Sequence, residues 1–129
     1  MIVLDASALL AYVYEEPGAE TVEAVLSEAV IHAVNFAEVL SRLAERGSSP
    51  EDSVGVLEAA GVMKLLTVDV GTVEDALNAA RLRPLTKSAG LSLGDRYCLA
   101  LAQRLGVPAL TADRAWGSLS VGVPVTVIR

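Results

Sequence analysis

This 129-residue chain has one cysteine and one histidine. Cys98 alone excludes an internal disulfide and any cysteine-based zinc site. His32 alone excludes a multi-histidine centre, and any serine–histidine–aspartate triad would have to run through it. Aromatic residues make up 4% of the chain, too few for an aromatic-rich sandwich and too scattered for a base-stacking platform. Basic residues are also scarce: 10 Lys and Arg face 16 Asp and Glu, a net charge of −6. At face value that disfavours a polyanionic partner. No apolar run approaches the ~20 residues of a membrane span. Met1–Leu10 carries Asp5 and no basic segment, so no secretory leader is expected, and the expected location is cytoplasmic. Neither a GxGxxG nor a Walker-type phosphate loop occurs.

Ala, Val and Leu dominate instead. Hydrophobic residues reach 53% and mean hydropathy is +0.50, which excludes disorder. A chain of this length buries roughly two-thirds of its unfolded surface, so residues 1–129 are expected to form one domain. Short apolar runs alternate with helical periodicity. Strands are expected at Ile2–Leu4, Val30–Ala33, Lys64–Val68, Ala109–Thr111 and Val123–Ile128, the last an edge strand because Pro124 interrupts it. Helices are expected over Ala6–Glu16, Ala19–Ala29, Asn35–Arg46, from Pro50 to near Gly61, over Gly71–Arg81 and over Leu93–Leu105. A helical turn should follow Asp113, and Arg83–Gly90 reads as a loop. This order implies an α/β fold: a three-layer α/β/α domain around a mainly parallel sheet of four to five strands. Ligands of such sheets lie beyond the carboxyl ends of the strands.

Four acids map to those ends. Asp5 follows the first strand, Glu38 lies just beyond the second, Asp95 sits in the first turn of the Leu93 helix, and Asp113 follows the fourth strand. Taken singly, each has a local explanation. Asp5 and Asp113 suit N-caps, while Asn35–Glu38 and Ser92–Asp95 have the form of capping boxes. Taken together, four carboxylates from four distant segments repel one another unless protons or cations intervene. Oxygen-only ligands select hard cations such as Mg²⁺ or Mn²⁺. Such ions suit hydrolysis of a phosphate ester.

Gly90-Leu91-Ser92-Leu93-Gly94 matches a nucleophile-elbow pattern, but no strand precedes it and the only histidine lies upstream. His32 reads as a core or rim histidine and Cys98 as a small core hydrophobe.

Four stretches carry a family resemblance over essentially the whole chain: Ile2-Val3-Leu4-Asp5-Ala6-Ser7, Asn35-Phe36-Ala37-Glu38-Val39, Leu91-Ser92-Leu93-Gly94-Asp95-Arg96-Tyr97 and Leu110-Thr111-Ala112-Asp113-Arg114. In order and spacing the chain resembles the PIN-domain ribonucleases, most closely the VapC-type toxins of toxin–antitoxin pairs. The resemblance implies that Asp5, Glu38, Asp95 and Asp113 are catalytic and bind Mg²⁺ or Mn²⁺. It places Ser7, Asn35 and Thr111 in supporting positions. It further implies cleavage of single-stranded regions of RNA, a cognate antitoxin protein as partner, and a homodimer. The chain departs from the pattern at Ala115, where many relatives carry a further acid, so a complete second metal site is not expected.

With the four site acids set aside, twelve acids face ten bases, and the charge objection weakens. Arg96 and Arg114, with Lys87 and Arg83 nearby, are the candidate RNA contacts. Leu9, Leu10 and Val13, with Val39, Leu40 and Leu43, are candidate dimer contacts or core residues of the same chain. The competing expectation is a PIN-like protein that binds a partner and cuts nothing.

Overall fold

The computed structural model describes residues 1–129. Strand β1 (Ile2–Leu4) starts in the middle of the sheet, with β2 (Ala29–His32) on one side and β4 (Ala109–Thr111) on the other. Strands β3 (Thr67–Asp69) and β5 (Val125–Val127) form the two edges. All four pairings are parallel, in the order β3-β2-β1-β4-β5. A parallel sheet is covered on both faces, which is why β1 and β2 are uninterrupted apolar runs down to His32.

Alternate residues of each strand face opposite layers. Val3, Val30 and Ala109 look into a core completed by α6 (Val73–Arg81), α8 (Leu93–Leu105) and the buried Trp116. Leu4, Ile31 and Leu110 look the other way, into a core closed by α1 (Ala6–Val13), α2 (Ala19–Val25), α3 (Ala33–Glu45), α4 (Pro50–Ala59) and α5 (Val62–Leu65). The fold is therefore the expected three-layer α/β/α domain, with five parallel strands. The chain winds outward from β1 to β2 and β3, then crosses back to β4, so its direction reverses between β1 and β4. At such a switch point the loops above the two strands part and leave a crevice.

Helix α8 and strand β4 lie on the expected residues, and β5 is the expected edge strand, shortened to begin after Pro124. Helix α1 ends at Val13 instead of Glu16 and α6 begins at Val73 instead of Gly71, and four further segments differ. The expected third strand begins with a helical turn, because Gly61 resets the backbone at φ +81°. Val62 and Leu66, four residues apart, then both become buried while Leu65 stays exposed, a helical spacing. The strand starts only at Thr67. Arg83–Gly90 is not all loop: α7 (Arg83–Thr86) forms one turn, in which the buried Thr86 hydroxyl donates to the Leu82 carbonyl at 2.9 Å. Helix α2 stops at Val25, and a tight turn over Leu26–Glu28 delivers Ala29 to β2. Helix α3 starts two residues before Asn35, since the His32 imidazole Nδ1 accepts the Val34 N–H at 3.1 Å and caps it. Asn35 is thereby moved inside the helix, and the expected Asn35–Glu38 capping box is not formed. Of the candidate dimer contacts, Leu9 and Val39 are fully buried in the core. No helix is long and apolar enough to cross a membrane.

Candidate active site

Asp5 leaves β1 and caps α1 at the switch point. Its Oδ1 accepts the Ala8 N–H at 2.8 Å, and its Oδ2 accepts the Thr111 hydroxyl from β4 at 2.5 Å. The Ser7 hydroxyl donates to the same carboxylate and accepts the Ala112 N–H at 2.9 Å. Thr111 Oγ1 in turn accepts the Asp113 N–H at 3.0 Å. Two hydroxyls thus latch the ends of β1 and β4 together beneath a single carboxylate.

Asp113 stands over β4 and caps the short turn Arg114–Ser118, its Oδ1 accepting the Ala115 N–H at 2.9 Å. Asp95 closes the expected capping box of α8: its Oδ2 accepts the Ser92 N–H at 2.9 Å, and Ser92 Oγ accepts the Asp95 N–H at 3.2 Å. Glu38 comes from the second turn of α3. The fully buried Asn35 donates from one amide nitrogen to Glu38 Oε1 (3.2 Å) and to the Gly94 carbonyl (2.9 Å), which ties α3 to the first turn of α8. Gly94 leaves room for the Glu38 carboxylate, because a Cβ at that position would overlap Glu38 Oε1.

The four carboxylates line one cleft of about 430 Å³ together with Ser7 and Ser92. Three of the acids are held as caps, yet the cleft remains electrostatically unsatisfied. Burial pushes the Asp5 carboxyl up to about 6, against the pull of its hydrogen bonds and with a further push from Asp95. Burial and the neighbouring Asp95 raise Glu38, and burial and Asp113 raise Asp95. The Cys98 thiol, fully buried behind them, is pushed well up by burial and by the negative field of the same acids. Asp5, Glu38 and Asp95 therefore each sense a neighbouring acid. No three of them close into a formed metal-ligand cage. Their chemistry nonetheless fits a hard divalent cation: oxygen donors only, crowded like charges, and a cleft open to solvent.

Of the supporting residues, Ser7 lines the cleft, Thr111 lies under Asp5, and Asn35 lies behind Glu38. The candidate RNA contacts lie outside the cleft. Arg96 turns away and donates from Nη1 to the Ala79 carbonyl of α6 at 2.8 Å, a packing role. Arg114 is exposed outside the cleft and reaches the Arg129 carbonyl at 3.3 Å. The bases in the cleft are Arg42, Arg46 and Arg129, with Tyr14 beside them. Sequence reasoning missed these residues and Gly94. The available signals were the one-turn spacing of Glu38, Arg42 and Arg46, and a glycine set inside the first turn of a helix.

Among curated proteins no relative matches by sequence. Among solved structures, the fold is similar to a toxin–antitoxin complex from Klebsiella pneumoniae (16% identity, 100% of this chain and 98% of that one, TM-score 0.74). It is similar to VapBC-1 from nontypeable Haemophilus influenzae (18%, 99% and 98%, TM-score 0.73) and to DNA-bound VapBC from Salmonella typhimurium (20%, 99% and 98%, TM-score 0.71). The model of the PIN domain family matches residues 2–121, a span that includes all four carboxylates and every strand but β5. The chain belongs to the PIN domain family.

Proposed function

We propose that this protein is a Mg²⁺- or Mn²⁺-dependent endoribonuclease of the VapC toxin type, acting on single-stranded regions of RNA. The observation that carries this reading is the cleft at the β1/β4 switch point, which carboxylates from four segments line and where Asp5, Glu38 and Asp95 are raised by burial and by a neighbouring acid. PIN domains are generally nucleases, and the structural neighbours are toxin–antitoxin complexes, which supports an antitoxin as partner. A homodimer belongs to the same reading.

Asp5, Asp95 and Asp113 would hold the principal cation, and Glu38 would complete its surroundings. When bound, the ion supplies an acidified water and neutralises charge at the phosphodiester. The chain's own residues do the rest. Thr111 and Ser7 fix both Asp5 oxygens, and Asn35 holds Glu38 against α8. The N-termini of α1 and α8 present their positive dipole ends to the cleft.

The test is cleavage of single-stranded RNA by the purified chain with Mg²⁺ or Mn²⁺, beside an EDTA control and Asp5→Asn. Metal-dependent cleavage by the wild type, reduced by orders of magnitude in a folded Asp5→Asn protein, is the expected result. Equal cleavage by both proteins would mark a contaminating nuclease and overturn the reading. The capping bonds of Asp5, Asp95 and Asp113 support a second reading, a binding protein that cuts nothing. Under it, neither protein cleaves and Asp5→Asn changes only stability.

A further inference from the structure

The acidic cleft has a basic wall. Glu38, Arg42 and Arg46 follow one another at one-turn intervals along α3 and its C-terminal cap. At 1.5 Å rise per residue each interval is about 6 Å, comparable with the separation of successive phosphates along an extended strand. Neither Arg42 nor Arg46 forms an ion pair, although six carboxylates line the same cleft. Glu38 is the natural partner of Arg42, four residues ahead on the same helix. Asn35 instead holds the Glu38 carboxylate toward α8, so the Arg42 guanidinium pulls on it through space without closing an ion pair. The Arg46 guanidinium lies over the Tyr14 ring, 4.1 Å from its centroid, where a cation is held without losing its charge to a carboxylate. Arg129 is the third base of the cleft and is loosely matched by Glu16 at 3.7 Å.

We infer that Arg42 and Arg46 form a two-phosphate cradle that guides a single nucleic-acid strand along α3 into the carboxylate end of the cleft. This rests on the nuclease reading above, and it replaces Arg96 and Arg114 as the strand contacts. The cleft then has two ends of opposite character. The carboxylate end repels a phosphate until a cation is present. The guanidinium end attracts the neighbouring phosphates at all times and fixes which stretch of strand reaches the acids. Arg42 and Arg46 are positioning residues and take no part in the reacting bonds.

The experiment measures binding of a labelled 12-nucleotide single-stranded RNA as a function of salt. It uses the full chain carrying Asp5→Asn with Mg²⁺ present, so that the strand stays whole. Each phosphate contact on a single strand contributes about 0.7 to the slope of log affinity against log salt. Arg42→Ala with Arg46→Ala should therefore lower that slope by about 1.4, and the paired Lys substitutions should restore it. Arg81→Ala, an exposed base paired with Glu74 outside the cleft, controls for bulk charge and should leave the slope unchanged. In the cleaving wild-type background the double Ala variant should raise KM and leave kcat within about twofold, the mark of a group that binds ground and transition states alike. An unchanged slope in the double variant, or an equal fall in Arg81→Ala, overturns the cradle. If the wild type still cleaves, the nuclease reading stands without it. If the wild type neither binds nor cleaves, both fall together.

Discussion

Two groups of acids, each built around one buried aspartate, sit at the same end of the sheet and behave in opposite ways. Beyond β2 and β3, Asp69 and Asp75 surround Arg104, which donates from Nε to Asp75 at 2.8 Å and from Nη2 to Asp69 at 2.7 Å. His32 Nε2 lies 3.3 Å from the other Asp75 oxygen, and the Gly71 and Thr72 N–H groups complete the network. Burial pushes both carboxyls up, but the bonds from Arg104 and the backbone outweigh it and hold them below the usual range. Above β1 and β4 burial also acts on Asp5, Glu38 and Asp95; no guanidinium hydrogen-bonds to them, Arg42 pulls on Glu38 only through space, and all three are raised. A hydrogen-bonded guanidinium separates an acid cluster that stabilises the fold from one that strains it. Carboxylates left in the second condition are poised to take a cation from outside.

The largest expected effect breaks the compensated cluster. Arg104→Ala leaves Asp75, which has no solvent exposure, as an unpaired buried carboxylate. The loss should be about 3 kcal/mol, at the low end for a broken buried pair because Arg104 is itself 25% exposed. Urea unfolding at neutral pH measures it. The depressed carboxyls make this stabilisation present above their unfolded value of 3.8 and lost as pH falls below it. The wild-type and variant curves should therefore converge in acid.

Asp5→Asn sharpens the contrast from the other side, with the opposite sign. A carboxyl raised from 3.8 to about 6 costs the fold nothing below pH 3.8. The penalty grows as pH rises through that interval and reaches about 3 kcal/mol above it. In EDTA the variant should be more stable than the wild type at pH 7.5 by up to that amount, and equal to it near pH 3.5. Asparagine is itself a good N-cap, so the α1 cap survives. Thermal unfolding across pH checks both points, and added Mg²⁺ should raise the midpoint of the wild type more than that of the variant.

The smallest effect on stability, and a selective one on activity, is expected from Gly94→Ala. The atom that the new methyl group meets is the end of a flexible side chain, so folding should persist. The methyl group displaces the Glu38 carboxylate. A misplacement of about 1 Å costs on the order of a hundredfold in rate. Cleavage assays beside thermal unfolding separate the two. A fully active Gly94→Ala protein would show that Glu38 is not needed where Asn35 holds it.

What could be read in advance was local. The caps at Asp5, Ser92 and Asp113 are decided within three residues, and all three form. Helix α8 was legible at both ends because a capping box opens it and Gly106, at φ +67°, closes it. Helix α5 was hidden because Lys64–Val68 is apolar enough for either structure, and only the burial of Val62 with Leu66 selects the helix. Asn35 was expected both as a supporting residue and in a capping box; the box does not form, and its partners are Glu38 and Gly94, the latter 59 residues away. The Arg104 network spans 29 and 35 residues to its two aspartates and left no mark in local spacing.

The amino-acid order by itself therefore determined an alternating, parallel, two-sided α/β sheet, with Asp5 and Asp113 at strand ends and Glu38 and Asp95 in the opening turns of helices, because periodicity and capping are short-range. Only the tertiary structure decided which acids meet a cation and which meet one another. That choice depends on strand order: placing β4 beside β1 brings Asp5 and Asp113 to one crevice, while α8 carries Arg104 away to Asp69 and Asp75. Charge interactions act through space with little regard for separation along the chain, so they are settled when the layers pack and not before.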